Sequence, residues 1–273
     1  MANPARKLVR NVASIAGNPA LLGEYVQWLV SSARTGGKPS RRLLGGIEIG
    51  NFTNFSEFHS VPRFIDETEH RFFESFTGEG AIIDIGANVG LVSLVLARRF
   101  GDREVHAFEP NPTTFAALEA NIARNRAQNV FCHRFALSDA EGVVLFHNDP
   151  VKRGTASIAT GAGAHVQEVP ATTLDAFAAS RGIDSIGLLK IDVEGFETLV
   201  LRGAQRVLNE IRPAAIYFEV CPALTERAGF AATEPARMLV EAGYELRRLT
   251  DQSALTPADV AGVELENWLA IPR

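Results

Sequence analysis

"AIIDIGANVG", residues 81–90, is a short apolar stretch that runs into a turn with two glycines. The apolar part predicts a buried strand over 81–85, and "LVSLVLARRF" directly after it predicts a helix over 91–100. In an open parallel sheet, ligands bind outside the carboxyl ends of the strands, where a helix N-terminus also offers unpaired N–H groups. The pattern therefore predicts that this turn forms part of a ligand site.

The spacing within the turn separates two kinds of ligand. A dinucleotide fingerprint has three glycines, G-x-G-x-x-G, whereas Asn88 stands here where the second glycine would be. Gly86 permits a tight turn and Gly90 permits close approach of the helix to the sheet, but the missing glycine argues against a pyrophosphate. Asn88 and the strand residue Asp84 could instead bind the carboxylate and ammonium groups of an amino acid. An ordinary strand–helix turn without a ligand is the alternative.

A second strand ends in an acid at a spacing that suits a nucleoside. Glu109 follows Gly86 by 23 residues, near the roughly 20 residues at which an acid reaches ribose hydroxyls. Pro110 and Asn111 follow Glu109 and open a helix, so all three are candidate cofactor-binding residues.

A third strand is followed by "FALSDAEG", residues 135–142. In a doubly wound site this loop would lie over the nucleoside base, with Ser138 and Asp139 near an adenine amino group. An amino-acid binder, a ribose acid and an adenine loop in this order predict S-adenosylmethionine as the cofactor.

From residue 80 onwards, apolar stretches of strand length alternate with amphipathic stretches of helix length. This alternation predicts an α/β fold with a doubly wound, mostly parallel sheet. Residues 1–58 are predicted to form an N-terminal extension, helical over 6–33 and an irregular strand with exposed aromatic residues over 45–58. Residues 59–273 are predicted to form the domain that carries the site.

Length, charge and cysteine content narrow the classes of protein. The 273 residues, 46% of them hydrophobic, suffice for one sizeable core, and two cysteines make no disulfide framework, which is typical of a reducing compartment. Neither a membrane-spanning run nor a secretory signal is recognisable, so a cytoplasmic protein is expected. The net charge of −5 argues against a nucleic-acid partner.

The charge is uneven, because residues 1–42 carry seven Lys or Arg residues and one Glu, a net charge of +6. Such a segment could contact an anionic membrane surface. A solvated helical extension packed on the domain is the favoured interpretation, and the oligomeric state stays open.

Four motifs together resemble one family. "DIGANVG", "FEPNP", "ALSD" and "LLKIDVEGFETLVLRGA" resemble the FkbM family of S-adenosylmethionine-dependent methyltransferases, over about residues 60–220. The resemblance implies a class I, Rossmann-like methyltransferase fold, whose seven-stranded sheet has a final antiparallel strand. It also implies O-methylation, commonly of a sugar hydroxyl in a glycan, glycolipid, nodulation factor or polyketide.

The segment "KIDVEGFE", residues 190–197, follows the fourth core strand and would face the transferred methyl group. A hydroxyl acceptor must lose its proton, so a general base would help. Asp192 is the first candidate, as that base or as an orienter of acceptor and cofactor, and Glu194 is the second. Glu197 is interpreted as a helix cap, and Lys190 as a buried ion-pair partner.

Other residue types give weaker signals. His59 and His165 are the histidines expected nearest the cleft, and either could act as a base, although a lone histidine is more often structural. Asp192 and Glu219 could bind a divalent cation with a third oxygen ligand, but the predicted site contains no metal.

The leading hypothesis is therefore an S-adenosylmethionine-dependent O-methyltransferase that acts on a carbohydrate hydroxyl in a small molecule, glycan or glycolipid. Transfer to a phenol or a small carboxylate fits the sequence equally well. An NAD-dependent oxidoreductase and a non-catalytic binding protein are the alternatives from other classes.

Overall fold

The computed structural model describes residues 18–63, 65–147, 157–158 and 166–273. It divides the chain into two units, Met1–Ile65 and Asp66–Arg273. The boundary therefore lies later than the predicted one after residue 58, which would cut a helix, Phe55–Ser60, in two. The buried Phe58 ties that helix to the first unit, where its carbonyl accepts a hydrogen bond from the Arg41 guanidinium at 3.1 Å.

The described strands, in chain order, are β1 (Ser40–Arg42), β2 (Glu48–Gly50), β3 (Ala81–Ile85), β4 (Val105–Phe108), β5 (Val130–His133), β6 (Ala136–Leu137), β7 (Gly142–His147), β8 (Ser157–Ile158), β9 (Val166–Thr172), β10 (Ile186–Ile191), β11 (Ala215–Val220), β12 (Tyr244–Arg248), β13 (Ala254–Leu255) and β14 (Glu266–Pro272). The described α-helices are α1 (Pro19–Arg34), α2 (Phe55–Ser60), α3 (Glu67–Ser75), α4 (Leu91–Arg99), α5 (Pro112–Asn125), α6 (Leu174–Arg181), α7 (Glu197–Arg202), α8 (Pro222–Arg227) and α9 (Glu234–Glu241). A π-helical turn, Val207–Ile211, follows α7.

In the first unit, α1 begins at Pro19 because the Asn18 side chain accepts hydrogen bonds from two N–H groups of the first turn. β1 and β2 pair antiparallel. The expectation of an irregular strand with exposed aromatic residues over 45–58 is wrong beyond β2. Asn54 caps α2 there, and Phe52 and Phe58 are buried against each other in an edge-to-face contact.

The second unit contains a main sheet of eight strands in the order β13-β12-β14-β11-β10-β3-β4-β5. The neighbours from β11 to β5 pair parallel, and β14 pairs antiparallel with β11 and β12. This confirms the predicted doubly wound, mostly parallel class I arrangement. The count differs from seven, because the two-residue β13 pairs with β12 at the edge, where Leu255 packs on the core.

Strands β3, β4, β10 and β11 are buried on both faces, as their continuous apolar runs predict. Their carboxyl ends lie side by side, with Ile85 opposite both Phe108 and Ile191. The loops that leave these ends therefore meet along one edge of the sheet. A second, smaller sheet in this unit has the order β6-β9-β7-β8.

No described helix of either unit combines the length and the apolar character that crossing a membrane needs.

Candidate active site

An open pocket lies at the carboxyl edge of the main sheet. Its walls are the segments that follow β3, β4, β5 and β10, together with Thr114 from the first turn of α5. Each segment leaves a parallel strand at the same edge, so residues far apart in the chain meet there. This is where ligands bind in doubly wound sheets.

The turn after β3 depends on glycine for two reasons. Gly86 has φ +78°, and a Cβ atom on it would lie 1.8 Å from the carbonyl oxygen of Asp192. Asn88 adopts the left-handed conformation as well, with φ +51°, and lines the pocket with Gly86. Gly90 has φ +88°, and a Cβ atom on it would lie 2.5 Å from the Leu118 side chain of α5. The absence of a side chain at Gly90 therefore permits close packing against α5, rather than against the sheet.

Glu109 links the turns after β3 and β4. Its Oε2 accepts the N–H of Asn88 at 3.1 Å, and its Oε1 accepts the N–H of Asn111 at 2.9 Å. Burial raises the pKa of Glu109 to about 7, although these two bonds and the nearby Lys190 favour the ionised form. Pro110 lines the pocket beside Glu109, while the Asn111 side chain caps α5.

Asp84 lies behind the pocket wall. Its carboxylate is fully buried, with Oδ2 accepting the Ser93 hydroxyl at 2.5 Å and Oδ1 lying 3.1 Å from the Lys190 ammonium. This position does not suit the predicted contact with a ligand ammonium group. The sequence did not show this, because Lys190 is far from Asp84 along the chain and comes beside it only through the β3–β10 register.

The loop after β5 presents other residues than the two that were predicted. Ser138 is buried, and its hydroxyl donates a hydrogen bond to the Asp139 carboxylate. Its carbonyl oxygen packs so closely on Gly203 that a Cβ atom there would lie 2.0 Å away. Neither Ser138 nor Asp139 belongs to the described pocket wall. That wall contains the preceding residues Phe135, Ala136 and Leu137.

Sequence reasoning also missed Phe108, Thr114 and Phe196, which line the pocket. The available signal was position for Phe108, because it directly precedes the predicted contact Glu109. Thr114 is 1% exposed, and its Oγ1 has no hydrogen-bond partner among the described residues.

The segment after β10 contains three acids with different surroundings. Asp192 lines the pocket, and its Oδ2 lies 3.4 Å from the Lys190 ammonium. Glu194 also lines the pocket, with a left-handed φ of +57°. Glu197 is buried and its Oε1 accepts the N–H groups of Val193 and Gly195, so it fixes the loop before α7 instead of capping the helix.

Lys190 is the buried ion-pair partner that the sequence suggested. Besides the two carboxylates, its ammonium donates to the Gly86 carbonyl oxygen at 2.9 Å. Burial disfavours the ammonium, but Asp84 and Asp192 outweigh it and raise the pKa of Lys190. It therefore stays protonated and joins the turn after β3 to the end of β10.

Glu219, which the sequence offered as a metal ligand together with Asp192, lies near the end of β11. Burial raises its pKa to about 9, reinforced by Asp192, Glu197 and Glu194. Within the described part of the chain, no three His, Cys, Asp or Glu side chains are arranged to hold a metal ion.

The two histidine candidates have different outcomes. His59 belongs to the first unit, where its ring bonds to the Glu24 carboxylate and stacks on Phe55. His165 lies outside the described residues. A role for His59 as a base stays a prediction.

Comparisons with known proteins agree on one family. The model of the methyltransferase FkbM domain matches residues 84–246, more than half of the chain. The 31-O-demethyl-FK506 methyltransferase FkbM of Streptomyces tacrolimicus is 34% identical over 154 residues, 45% of this chain and 59% of that protein. Hexuronic acid methyltransferase AglP of Haloferax volcanii is 30% identical over 129 residues, 47% of this chain and 51% of that protein. The chain thus matches little more than half of the length of these relatives.

Among solved structures, that of FkbM from Methylobacillus flagellatus aligns with 80% of this chain and 54% of its own. The TM-score is 0.47 and the sequence identity is 15%.

Proposed function

The chain belongs to the FkbM family of methyltransferases, and we propose that it transfers the methyl group of S-adenosylmethionine to a sugar hydroxyl. The observation that carries the cofactor assignment is Glu109, whose two carboxylate oxygens each accept one backbone N–H in the pocket. A carboxylate oxygen has two lone pairs. Each oxygen of Glu109 therefore keeps one acceptor site for a ribose hydroxyl.

The other pocket residues fit the same cofactor. Phe108, Phe135 and Leu137 supply an apolar wall suited to a nucleoside base, and the unpartnered hydroxyl of Thr114 offers a hydrogen bond. Asn88 and Gly86 line the end where the amino-acid part would bind. When bound, the cofactor supplies an electrophilic methyl group on a sulfonium. The chain itself has to align the acceptor oxygen with that methyl carbon, which is an orientation effect.

The acceptor class rests on the names of two relatives. They are named as methyltransferases of a hexuronic acid and of 31-O-demethyl-FK506. A sugar hydroxyl in a small molecule, glycan or glycolipid accords with the first name. A phenolic or other small-molecule hydroxyl is the second candidate, and the natural-product relative is the finding that favours it.

The first experiment measures binding of S-adenosylmethionine, S-adenosylhomocysteine and NAD by calorimetry. We expect the first two to bind and NAD not to bind, and ligand at 100 times its dissociation constant should stabilise the fold by about 2.7 kcal/mol. Methyl-labelled cofactor is then offered with neutral methyl glycosides, methyl glycosides of uronic acids and simple phenols. Labelling of phenols alone would contradict the sugar assignment, and binding of NAD alone would contradict the cofactor.

A further inference from the structure

Four acids surround the turn after β10, and their partners and their position relative to the pocket distinguish them. Asp192 is paired with the Lys190 ammonium, and Glu197 accepts two loop N–H groups. The buried Oε2 of Glu219 has no hydrogen-bond partner among the described residues, but Glu219 lies outside the described pocket wall. Glu194 lines the pocket, and no residue in the described ranges donates a hydrogen bond to its carboxylate or pairs with it directly.

The backbone holds Glu194 in this position. Its φ of +57° is unusual for a residue with a side chain. The next residue, Gly195, has φ +98°, and a Cβ atom on it would lie 2.4 Å from the carbonyl oxygen of Leu224. Glu197 fixes the same turn through the N–H of Gly195. Strained conformations of this kind persist where the surrounding structure determines them, and they cluster at active sites.

Asp192, by contrast, is committed to a buried cation. The Lys190 side chain is 4% exposed, and its ammonium contacts Asp84, the Gly86 carbonyl and Asp192 together. Removal of a proton from an acceptor by Asp192 would neutralise one partner of this arrangement. The pairing suits a group that stays in place beside the Lys190 ammonium.

We propose that Glu194 is the general base and that the Lys190–Asp192 pair is a positioning device for the acceptor and for the turn after β3. The inference rests on the proposed O-methyl transfer. The Glu194 carboxylate accepts the acceptor's hydroxyl proton while that oxygen forms a bond to the methyl carbon. The carbon–sulfur bond breaks, its electron pair stays on sulfur, and neutral S-adenosylhomocysteine leaves. Glu194 then releases the proton to solvent.

The electrostatics of the turn support this assignment. Burial raises the pKa of Glu194 to about 7, the negative charge of Asp192 adds to the shift, and Arg227 opposes it. Glu197 and Glu219 are the other charged or titratable groups that face the cluster. A general base is most effective when its pKa lies near the working pH.

The test begins without an acceptor. Protein with ¹³C-labelled glutamate side-chain carboxyls is titrated by NMR with S-adenosylhomocysteine bound, comparing wild type, Glu194→Gln and Glu226→Gln. Glu226 is exposed and outside the pocket wall, so its variant is the matched control. We expect one signal that titrates near pH 7 to vanish in Glu194→Gln only. A Glu194 signal that stays ionised from pH 5 to 9 would overturn the assignment.

Turnover is then measured against pH with the glycoside that the labelling screen identifies. Glu194→Gln should lower kcat by about 10²- to 10⁴-fold, the usual contribution of a general base, and leave S-adenosylhomocysteine affinity within about threefold. The acid limb of kcat/KM should vanish in Glu194→Gln and move to lower pH in Asp192→Asn, which removes a neighbouring negative charge. Loss of the limb in Asp192→Asn instead would make Asp192 the base. Failure of every acceptor contradicts the proposed function, whereas the NMR titration decides on Glu194 by itself.

Discussion

Replacement of Gly86 by alanine tests how closely the turn after β3 approaches the end of β10. The added Cβ would lie 1.8 Å from the Asp192 carbonyl oxygen, and φ is +78°. Two effects therefore act together at this position. Two other glycines separate the cost of the left-handed backbone from the cost of the close contact. Gly182 has φ +65°, but a Cβ atom on it would have no neighbour within 4 Å. Gly203 has an ordinary φ, but a Cβ atom on it would lie 2.0 Å from the Ser138 carbonyl oxygen.

The expected cost follows from these geometries. A left-handed conformation costs a residue with a side chain about 1–2 kcal/mol, which is the whole effect expected for Gly182→Ala. Forcing an atom into a packed region costs about 1–3 kcal/mol when neighbours have to shift, which is the effect expected for Gly203→Ala. Gly86→Ala should lose roughly the sum, about 2–5 kcal/mol, which is a large part of the 5–15 kcal/mol that usually stabilises a protein.

Urea unfolding of the three variants measures these costs, and calorimetric titration with S-adenosylhomocysteine measures the functional effect. Gly86→Ala should also weaken binding, because the turn has to move away from the Asp192 carbonyl and takes Asn88 with it. Gly182 directly follows α6 and does not belong to the described pocket wall. The Gly182→Ala variant should therefore bind S-adenosylhomocysteine with unchanged affinity.

Two results would refute the reasoning. Equal losses of stability for Gly86→Ala and Gly182→Ala would mean that the close approach to Asp192 carries no cost. Unchanged affinity in Gly86→Ala would mean that the turn does not bind the cofactor.

Three further predictions concern the buried charges. Glu109→Gln should weaken S-adenosylhomocysteine binding by about 1.5–3 kcal/mol, the value of hydrogen bonds to a charged group, and unchanged calorimetric affinity would exclude the ribose role. Burial raises the pKa of Glu197 from 4.5 to about 7 and that of Glu219 to about 9, so the folded state binds more protons than the unfolded state over this range. The free energy of unfolding should therefore fall as the pH rises from 5 to 9, and Glu219→Gln should flatten the fall above pH 7; a urea-unfolding series that rises with pH contradicts this. Lys190→Met should cost about 3–5 kcal/mol because it leaves the Asp84 carboxylate buried without a cation, and adding Asp84→Asn should recover part of the loss; purely additive costs would contradict the pairing.

The elements around the pocket were readable from local pattern. Strand β3, the turn at Gly86 and the helix after it follow from an apolar run, two glycines and an amphipathic stretch. Glu109 was found in the same way, because an acid directly after a buried strand has to emerge at the sheet edge. The alternation of strands and helices likewise predicted the doubly wound sheet.

Side-chain partners were not readable in this way. Asp84 was assigned to a ligand, but it pairs with Lys190 from a strand about a hundred residues away. Ser138 and Asp139 were assigned to the adenine base of the cofactor, but the pocket wall is formed by the residues just before them. At the end of a strand, a shift of one residue changes the face to which a side chain belongs, and local pattern does not resolve such a shift.

Backbone periodicity and turn chemistry act between neighbours in the chain, so the sequence alone was enough for the class of fold, the order of its elements and the position of Glu109. The contacts of Lys190 with Asp84 and with the Gly86 carbonyl join residues that the chain keeps far apart. So does the approach of Gly195 to Leu224, which helps to hold Glu194 in its left-handed conformation. The Lys190 contacts depend on the pairing of β3 with β10, and the approach of Gly195 to Leu224 depends on the pairing of β10 with β11. The tertiary structure therefore decided which acid of the pocket wall has no hydrogen-bond partner among the described residues.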